Sequence, residues 1–275
     1  MFDSGDAFVQ LMVHRYLPSA AVLTLFICII AYIRAPRIKT LIFCMPVPFT
    51  CAYIATELPI DASSLIGLLV GVVYHWGVFM CCRRMGLPIL AAITCGVAIY
   101  LGLGLTVLPA VGDFPFLPVA AVWAAIWIVL VLLYRPIDEP GYRSEAPWWI
   151  KAPAVFVLAV MIYCMRDFAA GAVLTFPYAG VFTSYEMRKN LRTLAGQYTI
   201  NISGLAIMML VIWATRDALG RFGSLGVSWI CLLATLSVIY RTGLGKPKRS
   251  ELATDDALAS DPAASVETEA ATASR

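Results

Sequence analysis

The chain has 275 residues, of which 61% are hydrophobic and 13% charged, with a formal net charge of +3. Soluble domains average about 45–50% apolar and about 25% charged. This composition, with repeated apolar runs of about 20 residues, therefore excludes an ordinary water-soluble fold and indicates a polytopic all-α membrane protein. An open sheet is excluded as the main element because lipid cannot satisfy its edges, and the small positive charge, spread through loops, carries no nucleic-acid footprint.

In chain order, residues 1–16 alternate apolar and polar side chains (Phe8, Val9, Leu11 and Met12 among Asp3, Asp6, Gln10 and His14) and predict an interfacial lead-in. Arg34, rather than a small-residue cleavage site, follows the first apolar run, so no cleaved signal peptide is expected. Nine spans are predicted, at about 18–34, 39–57, 63–82, 87–109, 116–134, 148–165, 168–185, 194–215 and 224–241, with eight or ten as alternatives. The Pro- and Gly-rich segment 136–147 reads as a connector between a first membrane unit (17–135) and a second (148–242). Residues 243–275, rich in Ala, Ser, Thr, Asp and Glu, read as a disordered cytoplasmic tail.

Basic residues follow spans one, three, five, seven and nine (Arg34, Arg37 and Lys39; Arg83 and Arg84; Arg135, Arg143 and Lys151; Arg188, Lys189 and Arg192; Arg241, Lys246, Lys248 and Arg249). Asp and Glu alone follow spans two and four, while Arg166 and the Arg216/Arg221 pair depart from the pattern. Positive charge stays cytoplasmic, which predicts the N-terminus outside and the C-terminus inside a cell inner (plasma) membrane.

The stretch from Pro48 to Glu57 returns, altered, from Pro177 to Glu186. Each copy has a proline, then aromatics and a glutamate at i, i+4 and i+8 on one helix face: Phe49, Tyr53 and Glu57, then Tyr178, Phe182 and Glu186. The alternative is coincidence, two kinked helices that each end on a boundary carboxylate. Five spans separate the corresponding helices, an odd number, so the copies run in opposite directions, as in inverted-topology repeats with Pro-broken helices.

Between these stripes lie His75, in span three, and the polar series Thr193, Gln197 and Asn201 in span eight. Polar groups at such depth face protein or water. Interhelical hydrogen bonding is the plain reading, and contact with a substrate is the functional one. Glu57 and Glu186 are expected at the outer and inner mouths of one cavity, with their pKa values raised by partial desolvation. The eight cysteines show no CxxC spacing, and most sit in apolar runs as small buried thiols. Neither a metal nor another cofactor is expected, and no catalytic motif is present.

Around Phe176-Pro177, Glu186, Arg188 and Leu191-Arg192 the second half resembles the GlpM-like small inner-membrane proteins. That family has a Phe-Pro pair in an apolar helix, a loop bearing Glu and Arg, and a Leu-Arg pair entering the next helix. Here the loop is shorter, Glu and Arg are not adjacent, and the following helix lacks the family's proline. The resemblance covers about a quarter of the chain and implies an integral inner-membrane protein.

The expectation is a membrane secondary transporter or flippase-like carrier, not an enzyme. It would move a small polar, anionic or lipid substrate, with proton coupling as an option. The site would comprise Phe49, Tyr53, Glu57, His75, Tyr178, Phe182, Glu186, Gln197 and Asn201. The alternative is a membrane scaffold or assembly factor. The lipid bilayer is the expected partner, and homo-oligomerisation is left open.

Overall fold

The computed structural model describes residues 9–33, 36–43, 45–136, 148–164 and 174–244, and among these every regular element is helical. The expected tail from residue 245 on and nearly all of the expected connector, 137–147, lie outside the described residues, as do residues 1–8 and 165–173.

The chain is helical from Val9, the first described residue, passes through a π-helical turn at Met12–Tyr16 and continues as α1 (Leu17–Tyr32). The lead-in expected for residues 1–16 is thus, from Val9 onward, continuous with the first span. Next come α2 (Pro36–Phe43), α3 (Val47–Thr56), α4 (Ala62–Arg83), α5 (Ile89–Gly112), α6 (Phe116–Leu133), α7 (Trp148–Cys164), α8 (Tyr178–Glu186) and α9 (Leu191–Thr242). Among the described residues, six helical segments are long and apolar enough to cross a membrane, with α2 and α3 forming one of them across their break.

Local chemistry sets the boundaries. Pro46 caps α3 and Pro48 sits in its first turn, where the missing N–H has no helical partner to lose. Pro177 caps α8 in the same manner. Asp61 begins α4 with a capping box: its Oδ1 accepts from Ser64 N at 3.0 Å, and Ser64 Oγ accepts from Asp61 N at 3.5 Å. In α9, Gly220 has φ 66° and ψ −179°, a conformation open essentially to glycine alone. Leu232 and Leu236 lie against Gly204. In a straight helix a separation of about 30 residues spans about 45 Å, so the second half of α9 folds back on the first.

The bundle is organised around α8, which touches α1, α2, α4, α5 and α7. Helices α4 and α5 form the most extensive pair, α1 packs on α7 and α3, and α9 lies against α2, α4 and α6. Two indoles fix α9 in place. Trp76 of α4 donates to Thr199 Oγ1 at 3.1 Å, and Trp127 of α6 donates to Thr199 O at 2.9 Å. By contrast, α6 buries only Phe116 and Trp123, and its Leu132 and Leu133 are 78% and 73% exposed. A helix this apolar and this exposed is matched to acyl chains rather than to water.

Charges gather at the two ends of the bundle. Glu57, Asp61, Asp113, Arg15 and Arg221 mark one end; Arg83, Arg84, Arg135, Lys189 and Arg192 mark the other, the basic end.

Candidate functional site

The two proline breaks face one small cavity of about 50 Å³. Pro46, Pro48 and Phe49 reach it from the start of α3, and Pro177, Tyr178 and Ala179 from the start of α8. Phe43, Leu68, Phe176, Tyr198 and Leu205 close it, and Thr175 brings a hydroxyl that hydrogen-bonds Tyr100 OH at 2.8 Å. At about 10–15 Å³ of accessible volume per water, there is room for a few waters and not for a metabolite.

Both half-helices point their N-termini at this cavity and run away from it in opposite directions. Helix α3 ends at Glu57, whose carboxylate binds Arg15 at 2.5 Å and Arg221 at 2.7 Å. Helix α8 ends at Glu186, which binds Lys151 at 2.6 Å and faces Lys39 at 3.8 Å. Lys39 lies near the start of α2, the end of the broken segment remote from Glu57, so α8 is antiparallel to α3. Pro46, Pro48 and Pro177 have no N–H, and Tyr178 N donates to Phe176 O at 2.7 Å. The first-turn donors without a helical partner are therefore Val47 and Phe49 of α3 and Ala179 and Gly180 of α8, and the cavity sits between two positive, though donor-poor, dipole ends.

The two carboxylates differ in setting. The Glu57 side chain is 44% exposed, and its backbone adopts φ 56°, a left-handed conformation costing a non-glycine residue about 1–2 kcal/mol. The hydrogen bond from Arg15 holds its carboxyl below the ordinary value of 4.5; burial opposes it, and the charges of Arg221 and Arg15 add to the lowering. This corrects the expectation of a raised pKa: the two guanidiniums outweigh desolvation, and Glu57 stays ionised at neutral pH. Glu186 is only 4% exposed, a buried ionic cluster rather than a solvated mouth.

Of the other expected site residues, Phe49 and Tyr178 line the cavity. Tyr53 is buried behind Phe49, with ring centroids 6.0 Å apart, and carries Arg221 over its face at 5.2 Å. His75 stacks on Tyr198 at 4.1 Å and on the edge of Tyr74 at 4.9 Å. Its Nδ1 lies 2.8 Å from Gly71 O, which can only accept, so Nδ1 carries a proton and donates it, and the second ring nitrogen is Nε2. That atom is buried, has no hydrogen-bond partner among the described residues, and would sit 2.9 Å from a Cβ placed on Gly180. Phe182 is half-buried on α8 away from the cavity lining, while Gln197 and Asn201 are buried on α9 but do not line it. Tyr198 and Leu205 take that place.

Lys39, Lys151 and Arg221, read as loop charges, turn out with Arg15 to hold the two glutamates. Their spacing along the chain, over 100 residues for Lys39–Glu186 and Arg221–Glu57, left no local signal. Among the described residues, no three of His, Cys, Asp and Glu come together to hold a metal. No protein-family model, curated protein or solved structure matches the chain, so its function has to be argued from the site's own chemistry.

Proposed function

We propose that the protein is a secondary carrier of a small anionic substrate, built as two inverted units of a nine-span bundle in a cell inner membrane, with its N-terminus outside. One observation carries the reading: two antiparallel half-helices aim their N-termini at a shared cavity between them, an arrangement suited to a negatively charged group. The basic end then faces the cytoplasm. The conformation described here is closed, because the cavity holds only water-sized guests and both ends are tied. Glu57 of the first unit binds Arg15 of the lead-in and Arg221 of the second unit; Glu186 bridges Lys151 of the second and Lys39 of the first. Releasing one bridge while keeping the other would expose the cavity to one side at a time, and no enzymatic step is required.

The alternative is a scaffold that moves nothing, and the small size and largely apolar lining of the cavity favour it. Proteoliposome uptake separates the two. Wild-type protein, tested with labelled small anions with and without a pH gradient, should give saturable flux. Ala179→Val, which adds two methyl groups at the α8 N-terminus, should abolish that flux while the melting temperature holds or rises through cavity filling. Absence of flux for every anion, or unchanged flux with the cavity filled, would discard the carrier reading.

A further inference from the structure

A second and larger cavity, of about 470 Å³, opens at the basic end of the bundle. Arg84, Arg135 and Arg192 line it, from the ends of α4 and α6 and the start of α9, respectively. They are distant in sequence, and the fold alone brings them together. None of the three side chains has a hydrogen-bond, ion-pair or ring partner among the described residues, and none of the described lining residues is acidic. Neighbouring Arg83 is committed elsewhere, donating to Lys189 O at 3.1 Å. Three guanidiniums lining one pocket with no acidic side chain among its described residues repel one another, and an anion removes that cost.

The floor of the pocket is rigid and aromatic. Trp76 meets Phe79 edge-on at 5.7 Å and Tyr134 edge-on at 6.4 Å, and Trp76 is fixed by its bond to Thr199. Tyr134 fills the notch left by Gly196, where any side chain would collide with its ring. Along the lip, Met80 and Leu133 are exposed and apolar, on helices whose outer faces suit acyl chains. A planar guanidinium recognises phosphate through paired hydrogen bonds, and the ends of membrane helices are where phosphate headgroups lie.

We propose that this pocket binds the phosphate group of an anionic phospholipid, the three arginines holding the headgroup while Met80 and Leu133 start the path of its acyl chains. This site is separate from the proline-flanked cavity and does not depend on the carrier reading.

The test uses the full-length protein in uncharged detergent. Native mass spectrometry and thermal melting are followed on titration with phosphatidylglycerol, with phosphatidylcholine, or with water-soluble glycerol phosphate. Phosphatidylglycerol should bind as a discrete adduct and raise the melting temperature, with the other two much weaker. Each single Arg→Gln change at 84, 135 or 192 should weaken it by roughly fivefold, the effect of one basic residue near an anionic surface. Arg→Lys at the same positions should recover only part of the loss, and Arg188→Gln should leave binding unchanged. Equal binding of phosphatidylcholine, or retention of phosphatidylglycerol in all three Gln variants, overturns the proposal. Glycerol phosphate matching the lipid would support the phosphate site but overturn the lipid as its occupant. Since the single variants change exposed or half-exposed residues, they should fold.

Discussion

The two bridged glutamates separate by burial. An exposed ion pair contributes about 0–1 kcal/mol, whereas breaking a buried one by removing a partner costs about 3–5 kcal/mol, because charge is left in a dry place. Glu186→Gln should therefore destabilise the protein by several kcal/mol in chemical or thermal unfolding, and Glu57→Gln by about 1 kcal/mol or less. The Glu57 contribution also has a pH signature. Its folded pKa is depressed below 4.5 by Arg15 and Arg221, so the stability it adds is fully present above that value and is lost as pH falls through the folded pKa. The gap in melting temperature between wild type and Glu57→Gln should stay constant from pH 7 to pH 5 and narrow below about 4.5. A gap that instead changes near neutral pH would mean that Glu57 takes up protons there.

Among the elements, α9 depends on one residue for its shape. A Cβ on Gly220 meets nothing within 4 Å, so the cost of Gly220→Ala is conformational rather than steric. Forcing alanine into φ 66°, ψ −179° costs of order 1–3 kcal/mol, and straightening the helix to escape it would carry Arg221 away from Glu57 and Leu236 away from Gly204. Gly220→Ala should thus lower the melting temperature, and a cysteine pair at Gly204 and Leu236 should cross-link readily in the parent and poorly in the variant. Unchanged stability and cross-linking would place the reversal elsewhere. The turn shows how far the sequence could be read. Spans 194–215 and 224–241 were legible as two apolar runs, but their junction had no obvious loop, since a single glycine suffices. The broken helices were legible because a proline acts locally, through its own missing N–H. The face of α9 that meets the cavity was not, because Leu194–Gly204 is almost entirely buried. A helix enclosed on all sides has no amphipathic period, so the polar series Gln197 and Asn201 could not be ranked against Tyr198 and Leu205. The counter-charges of the glutamates were hidden for a different reason: Lys39 and Lys151 sit near helix starts, where charges normally face water.

At the scale of the molecule, charge segregation makes the proposed orientation checkable. On a cysteine-free background, Asp113→Cys should react with a membrane-impermeant maleimide added outside intact cells, and Arg135→Cys only after permeabilisation. Labelling of both from the same side would end the assignment of the two ends to opposite membrane faces. Labelling in the reverse sense would leave the bundle as described and invert its orientation.

The attachment of α9 has one further consequence. Trp76 and Trp127, on two different helices, both donate to Thr199, and Trp229, beyond the Gly220 reversal, donates to Thr50 Oγ1 of α3 at 3.1 Å. Indole emission responds to the polarity and hydrogen bonding around its N–H. A sliding of α9 against α4 and α6 alters the first two fluorophores, and a separation of its returning half from α3 alters the third. The unlabelled chain therefore carries its own optical gauge, and substitution of Trp229 alone by phenylalanine resolves which of the two contacts yields first.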